Sequence, residues 1–140
     1  MLYPVSYVVT LVIFAAIDSV WLGTMASRIY RPLLGDLLID GFRPVPAIVF
    51  YLLYAAGLVW FAVLPALKSG ETATSVFVTG ALLGLFAYGT YDLTNYATMR
   101  GWGTTITVID MAWGTLLSGT TALLAVFAMR VIGRWTGMAL

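Results

Sequence analysis

Four long apolar stretches constrain the fold of this 140-residue chain more than any other feature of the sequence. The plainest covers residues 44–67, which include no charged side chain and are followed at once by Lys68. A helix needs about 20 mainly apolar residues to cross a bilayer. Three further stretches of this kind cover approximately residues 5–26, 72–95 and 104–129. The sequence therefore predicts an all-α integral membrane protein, with residues 1–140 forming one four-helix, up-down transmembrane domain in the lipid bilayer.

The amino-acid composition argues against several classes of function for this chain, as the following counts show. Hydrophobic residues make up 61% of the chain and charged residues 9%, and the mean hydropathy is +0.98. A net charge of +1 with scattered basic residues provides no electrostatic surface for nucleic acid, so we expect no nucleic-acid partner. The chain contains no cysteine and no histidine, which removes disulfides, thiolate ligands and imidazole ligands. We expect neither a metal ion nor a cofactor.

The segment between the first two spans, residues 28–43, mixes apolar and charged side chains. Its alternation suits a short helix lying on the membrane surface, and an ordinary loop packed on the helix ends fits equally well. The basic residues of the loops give a margin of one charge, with Arg28, Arg31, Arg43 and Arg100 on one side against three on the other. The positive-inside rule then places both termini outside the cytoplasm.

Three aspartates lie within the apolar stretches: Asp18, Asp92 and Asp110. An ionisable side chain inside a bilayer costs roughly 2.5 to 3.5 kcal/mol on insertion scales, and such residues usually face a bundle interior and serve a function. Up-down connectivity puts all three on the same side of the membrane. Their similar separations from Arg28 and Arg100 predict one layer of carboxyl groups inside the lipid.

Helical spacing assigns a face to each aspartate, because residues three or four positions apart share one side of a helix. Two such faces combine polar residues with small residues, and the small residues are expected to pack helix against helix. The face on the third span consists of Gly80, Gly84, Tyr88 and Asp92, with Tyr91 and Asn95 alongside. The face on the fourth span consists of Thr107, Asp110, Gly114, Ser118 and Thr121.

Tryptophan accompanies two of the carboxylates. Trp21 follows Asp18, and Trp113 follows Asp110, each at a spacing of three, so either indole could line the site or pack in the core. Trp102 and Trp135 are expected to be interfacial anchors. The second span carries no charge, so we interpret it as scaffold. The predicted binding residues are therefore Asp18, Trp21, Tyr88, Asp92, Asn95, Asp110 and Trp113.

Three functions fit this pattern. The first is proton-linked binding or transport of a small polar or cationic solute or a lipid head group, and we favour it narrowly. The second is an accessory or structural subunit of a larger membrane complex. A homodimer is a separate expectation, because a second copy would enlarge the small cavity of a four-helix bundle. The third is a lipid-modifying enzyme that uses Asp92 or Asp110 as general acid or base, and the absence of any nucleophile or cofactor motif counts against it.

A purely structural network is also compatible with the sequence. In that interpretation Asp92 and Asn95 cap the end of the third helix, and Asp110 pairs with Arg100.

The chain resembles a family of small bacterial four-helix membrane proteins known as domain of unknown function 2177. The matching stretches are Asp18–Gly23, Tyr30-Arg31, Leu34-Gly35, Tyr91–Asn95, Ala97-Thr98, Gly101-Trp102, Asp110 and Trp113-Gly114. The resemblance implies a multi-pass protein of the bacterial inner membrane, with Asp18, Asp92, Asn95 and Asp110 as signature positions, and it implies no established activity. A looser similarity, through Asp18 alone, is to the small multidrug transporters.

Overall fold

The computed structural model describes all 140 residues and contains four long helices and no strand. Helix α1 spans Leu2–Leu37, α2 spans Pro44–Ser69, α3 spans Ala73–Thr98 and α4 spans Thr104–Thr136. Each helix is long and apolar enough to cross a membrane. The predicted fold class, an all-α four-helix membrane bundle, is confirmed.

The surface of the bundle is apolar, as expected for a protein whose outer solvent is lipid. Large hydrophobic side chains are widely exposed on it, including Val20 (69%), Trp60 (66%) and Phe127 (66%). The interior is mainly hydrophobic too, but it also holds polar side chains, among them Ser6, Thr10 and Asp92. These buried polar groups make the interior the place to look for a functional site.

Helix α1 does not end where the sequence predicts. Its α-helical part, Leu2–Met25, continues through a π-helical turn at Ala26–Tyr30, a short α-helical piece at Arg31–Leu34 and a 3₁₀ turn at Gly35–Leu37. Residues 28–37 are therefore helical, but they prolong the first span instead of forming a separate surface helix. Gly35 and Gly41 adopt positive φ angles, which allow the chain to turn back toward α2.

Helix α2 also contains a π-helical turn, at Val59–Val63, immediately before the helix reaches Pro65. Proline lacks an N–H group, and its ring clashes with the carbonyl group four residues earlier in a regular α-helix. A π-turn widens the helix by one residue per turn and accommodates such an interruption. The helix therefore continues through Pro65 to Ser69.

Helices α3 and α4 form the closest pair in the bundle. A Cβ atom built on Gly80 would lie 2.7 Å from the Cβ atom of Ala122, and one built on Gly84 would press against the Gly114 carbonyl oxygen and Ser118. Both positions thus require glycine, because the backbones of α3 and α4 approach each other too closely there for a side chain. The four predicted packing residues, Gly80, Gly84, Gly114 and Ser118, lie together in this contact.

Two polar contacts lie at the end of the bundle that carries Met1. The Lys68 ammonium group donates to the Tyr3 hydroxyl at 2.7 Å, joining α2 to α1. The Arg130 guanidinium group donates to the Glu71 carbonyl oxygen at 2.8 Å, joining α4 to the turn before α3. The aspartates lie toward the opposite end, and no basic side chain from this end reaches them.

Candidate functional site

Asp92 and Asp110 face each other across the contact between α3 and α4. Asp92 lies six residues before Thr98, and Asp110 lies six residues after Thr104, so both sit at one level below the short connecting loop. Their carboxyl groups are close enough to interact electrostatically. Asp92 is fully buried, and neither of its oxygens receives an N–H or O–H donor. Carboxyl groups this close can share one proton.

Asp110 is bound by the end of α1. The Tyr30 hydroxyl donates to Asp110 Oδ1 at 2.6 Å. The same hydroxyl accepts a hydrogen bond from Trp21 Nε1 at 3.0 Å. The result is a relay from an indole through a phenol to a carboxylate, and it connects α1 to α4 next to Asp92.

Asp18 receives a donor on each of its oxygens. Trp113 Nε1 donates to Asp18 Oδ1 at 3.0 Å, and the Tyr51 hydroxyl donates to Asp18 Oδ2. Tyr51 belongs to α2, so the second span contributes a donor to the polar layer although it carries no charge. Since Asp18 bonds to Trp113, three residues beyond Asp110, it lies nearly one helical turn deeper than the Asp92–Asp110 pair. The predicted layer therefore has two levels.

A stacked pair of indoles joins the two levels. The rings of Trp21 and Trp113 lie parallel, with centroids 4.2 Å apart and an interplanar angle of 7°. Through their N–H groups, one indole is bonded to the Tyr30–Asp110 relay and the other to Asp18. A groove of about 510 Å³ opens beside this pair, between α1 and α4, and its lining is apolar except for Thr24. The lining residues are Ala16, Ile17, Val20, Trp21, Thr24 and Trp113.

Tyr88 fills the space between the carboxylates and the middle of the bundle. Its ring lies directly on Gly114, where any Cβ atom would collide with it. The Tyr88 phenol is within electrostatic range of both Asp18 and Asp110. On its other side the ring meets Tyr54 edge to face at 6.1 Å, and the Tyr54 hydroxyl shares a 2.5 Å hydrogen bond with the Ser118 hydroxyl.

The structure brings six of the seven predicted binding residues together: Asp18, Trp21, Tyr88, Asp92, Asp110 and Trp113. Asn95 does not join them. It is half-buried one turn nearer the loop, beside Tyr91, and forms no hydrogen bond with any of the three carboxylates.

Three other expectations from the sequence are wrong: the helix cap, the pairing of Asp110 with Arg100, and the position of Trp102 at the interface. Helix α3 continues to Thr98, so neither Asp92 nor Asn95 caps its end. Asp110 accepts from Tyr30, and Arg100 is exposed. Trp102 is not an interfacial anchor, because only 8% of it is exposed and its indole donates to Thr107 at 3.2 Å. Trp135, by contrast, is 88% exposed near the end of α4, and its place at the interface stays a prediction.

Sequence reasoning missed three tyrosines of the site, Tyr30, Tyr51 and Tyr54. In an uninterrupted α-helix the nine residues from Trp21 to Tyr30 would rotate the side chain by about half a turn, to the opposite face. The π-turn at Ala26–Tyr30 takes up an additional residue and turns Tyr30 back by roughly a quarter turn. A signal for Tyr30 was available in the Tyr30-Arg31 stretch of the family resemblance, whereas nothing distinguishes Tyr51 and Tyr54 from lipid-facing aromatics.

The site is acidic and has no positive counterpart. Every donor to its carboxylates is a neutral phenol or indole, and these donors come from Tyr30, Tyr51 and Trp113. The three carboxyl groups do not converge on one point that could hold a metal ion. Hydrogen bonds from neutral groups stabilise a charge without cancelling it, so the site is chemically suited to hold protons or a cationic group.

Comparison with known proteins agrees with this architecture. No curated protein and no solved structure matches the chain. A family model described as "Predicted membrane protein (DUF2177)" matches residues 3–127, which include most of each of the four helices and every residue of the acidic site. The chain therefore belongs to the DUF2177 family of multi-pass membrane proteins.

Proposed function

We propose that this protein binds a cationic group, carried by a small solute or by a lipid head group, at the acidic site and releases a proton in exchange. The observation that carries the proposal is Asp92, fully buried, with no donor on either oxygen and with Asp110 beside it. A lone carboxylate in such a place is unfavourable, so a proton or a cation must accompany it. We also propose the inner membrane of a bacterium as its location, as the family resemblance implies.

The indole pair supports a cationic ligand. Aromatic faces attract cations within about 6 Å, and tryptophan does so most strongly. Trp21 and Trp113 line the groove between α1 and α4. The Trp113 N–H donates to Asp18, and the Trp21 N–H donates to Tyr30, which in turn donates to Asp110. A ligand entering sideways from the lipid would meet this groove before it reached Asp18. The same arrangement suits an ammonium group on a solute or on a lipid.

The test measures proton release on ligand addition. Purified protein in nanodiscs of phosphatidylglycerol, in weakly buffered solution with a pH dye, is titrated with ethanolamine or choline. A second arm compares thermal stability in nanodiscs with and without phosphatidylethanolamine, which separates a solute from a lipid source. Wild type is expected to release close to one proton per bound cation and to gain stability with the preferred source.

The variants Asp92→Asn and Asp110→Asn should abolish proton release. Asp36→Asn removes the same charge from an exposed position on the loop side and should behave as wild type. Equal responses of Asp92→Asn and Asp36→Asn, or the absence of any cation effect on wild type in both arms, would contradict the proposal.

A further inference from the structure

Three buried hydroxyl groups outside the acidic site have no hydrogen-bond partner. They belong to Ser6, Thr10 and Thr121, each 0% exposed. Helical threonine commonly bonds to the carbonyl group four residues earlier, as Thr115 does here to Met111 at 2.7 Å. The three orphan hydroxyls do not take this option. Buried polar groups are almost always satisfied, by protein or by bound water, so these three call for a specific explanation.

The three hydroxyls belong to two helices that run in opposite directions. The hydrogen bond between Asp18 and Trp113 fixes the register of α1 against α4. Thr10 lies eight residues before Asp18, and Thr121 lies eight residues after Trp113, so each is about 12 Å from that bond toward the same membrane face. Thr10 and Thr121 therefore share a level, and Ser6 lies one turn nearer to the face that carries Met1.

A further hydroxyl pair connects this level to the acidic site. Ser118 lies three residues before Thr121 on α4 and shares its hydrogen bond with Tyr54. Phe14, fully buried, separates Thr10 from Asp18 along α1, and the Tyr54 ring packs against it at 5.2 Å. The Tyr54–Ser118 pair thus passes beside Phe14 and reaches Tyr88 at the edge of the acidic site.

We propose that Ser6, Thr10 and Thr121 line a narrow internal path of bound water that carries protons between the acidic site and the membrane face bearing Met1. Water needs polar partners to occupy a buried position, and these hydroxyls provide both donors and acceptors. Each hydroxyl or water accepts one proton and releases another, so a proton crosses with no net chemical change. The proton role rests on the proposed function, whereas the presence of water does not.

The opposite end of this path lies near the only basic contacts among the four helices. Lys68 is bonded to Tyr3 there, and Arg130 is bonded to the Glu71 carbonyl oxygen. Their positive charges lie close to the mouth of the path, where they disfavour entry of another cation. A path lined by neutral hydroxyls and flanked by these charges is better suited to proton transfer along water than to passage of the cationic ligand itself.

The hydration test uses Thr10→Val and Thr121→Val, which keep the side-chain shape and remove the hydroxyl. If water binds the hydroxyls, valine removes its partners, and the melting temperature of the purified protein should fall. If the hydroxyls are dry, valine removes an unsatisfied group, and the melting temperature should rise. Thr115→Val, which removes a hydroxyl bonded within its own helix, is the matched control on α4. A rise in melting temperature for both path variants would overturn the water path.

The proton test measures the relaxation of tryptophan fluorescence from the Trp21–Trp113 pair after a rapid pH jump in nanodiscs. The Thr10→Val/Thr121→Val double variant should relax at least threefold more slowly than wild type, with unchanged amplitude, while Thr115→Val keeps the wild-type rate. The Thr10→Ser/Thr121→Ser variant retains both hydroxyls and should relax at the wild-type rate. If the valine pair does not fold, the serine pair is compared with wild type in its place. An unchanged rate in the valine pair, or a slow serine pair, would overturn the path. A wild type without any pH response would overturn the proposed function instead, and the melting temperatures would still decide the hydration.

Discussion

Removal of the Tyr51 hydroxyl is expected to destabilise the bundle through Asp18. The Tyr51→Phe substitution keeps the ring, which packs edge to face on Phe14 at 5.2 Å, and removes only the donor to Asp18 Oδ2. Asp18 is 6% exposed, so water cannot easily take the place of that donor. The variant therefore isolates one hydrogen bond between α1 and α2.

Two general magnitudes bear on the expected loss. Hydrogen bonds to charged groups contribute about 1.5–3 kcal/mol in soluble proteins. Hydrogen bonds between membrane helices average about 0.6 kcal/mol, with a maximum of about 1.7, because the unfolded state in the membrane also finds partners. The bond to Asp18 is half-buried and has a carboxylate acceptor, which places it near the upper membrane value. We expect Tyr51→Phe to lower the free energy of unfolding by about 1–2 kcal/mol.

The assay is reversible unfolding in mixed micelles, followed by circular dichroism. Tyr7→Phe is the matched control, because the Tyr7 hydroxyl also joins α1 to α2 but donates to the neutral Leu52 carbonyl group at an exposed position, 2.9 Å away. Tyr7→Phe should lower the free energy of unfolding by about 0.5 kcal/mol or less. A double-mutant cycle with Asp18→Asn should give a coupling free energy of similar size to the Tyr51→Phe effect. Equal losses for Tyr51→Phe and Tyr7→Phe would refute the reasoning.

Two further predictions concern packing and the Tyr30 relay. Gly84→Ala should lower the free energy of unfolding by about 1–3 kcal/mol, because the new Cβ atom meets backbone and side-chain atoms of α4. Gly57→Ala is the control, because its new Cβ atom would have no neighbour within 4 Å. In thermal melts of both variants, Gly57→Ala should be neutral or stabilising. Tyr30→Phe should cost about 1–2 kcal/mol, since Asp110 loses its donor and an indole loses its acceptor. Thr24→Val, at an exposed hydroxyl on the same helix, should change stability by less than about 0.5 kcal/mol; a Tyr30→Phe melt that matches it would contradict the relay.

The spans and most of the acidic site follow from the sequence because they depend on regular helices. Hydropathy locates a membrane helix wherever charges are sparse, and a period of 3.6 residues then assigns each aspartate to a face. Asp92 and Asp110 meet because α3 and α4 are joined by a short loop and both keep this period. Gly80 and Gly84 add a contact that only small side chains permit.

The missed residues lie where regular geometry fails or where residue type alone gives no signal. Tyr30 reaches the site through a π-turn, which shifts its angular position relative to Trp21. Tyr51 lies in a span without charges, and a tyrosine there is equally compatible with lipid contact. The end of α1 was misplaced for a different reason. Charged residues such as Arg28 and Arg31 indicate where a helix leaves the lipid, but they do not stop the helix itself.

The three carboxylates differ in how the surrounding chain supports a negative charge. Asp18 has a donor on each oxygen, Asp110 has a donor on one, and Asp92 has none. A carboxylate is stabilised by each donor it accepts, so Asp18 is the best-supported anion and Asp92 the worst. The donors therefore divide the site into Asp18, which the chain supplies fully, and the Asp92–Asp110 pair, which it supplies only in part. This difference in the number of donors would let the proposed site exchange a proton at one level for a ligand at the other.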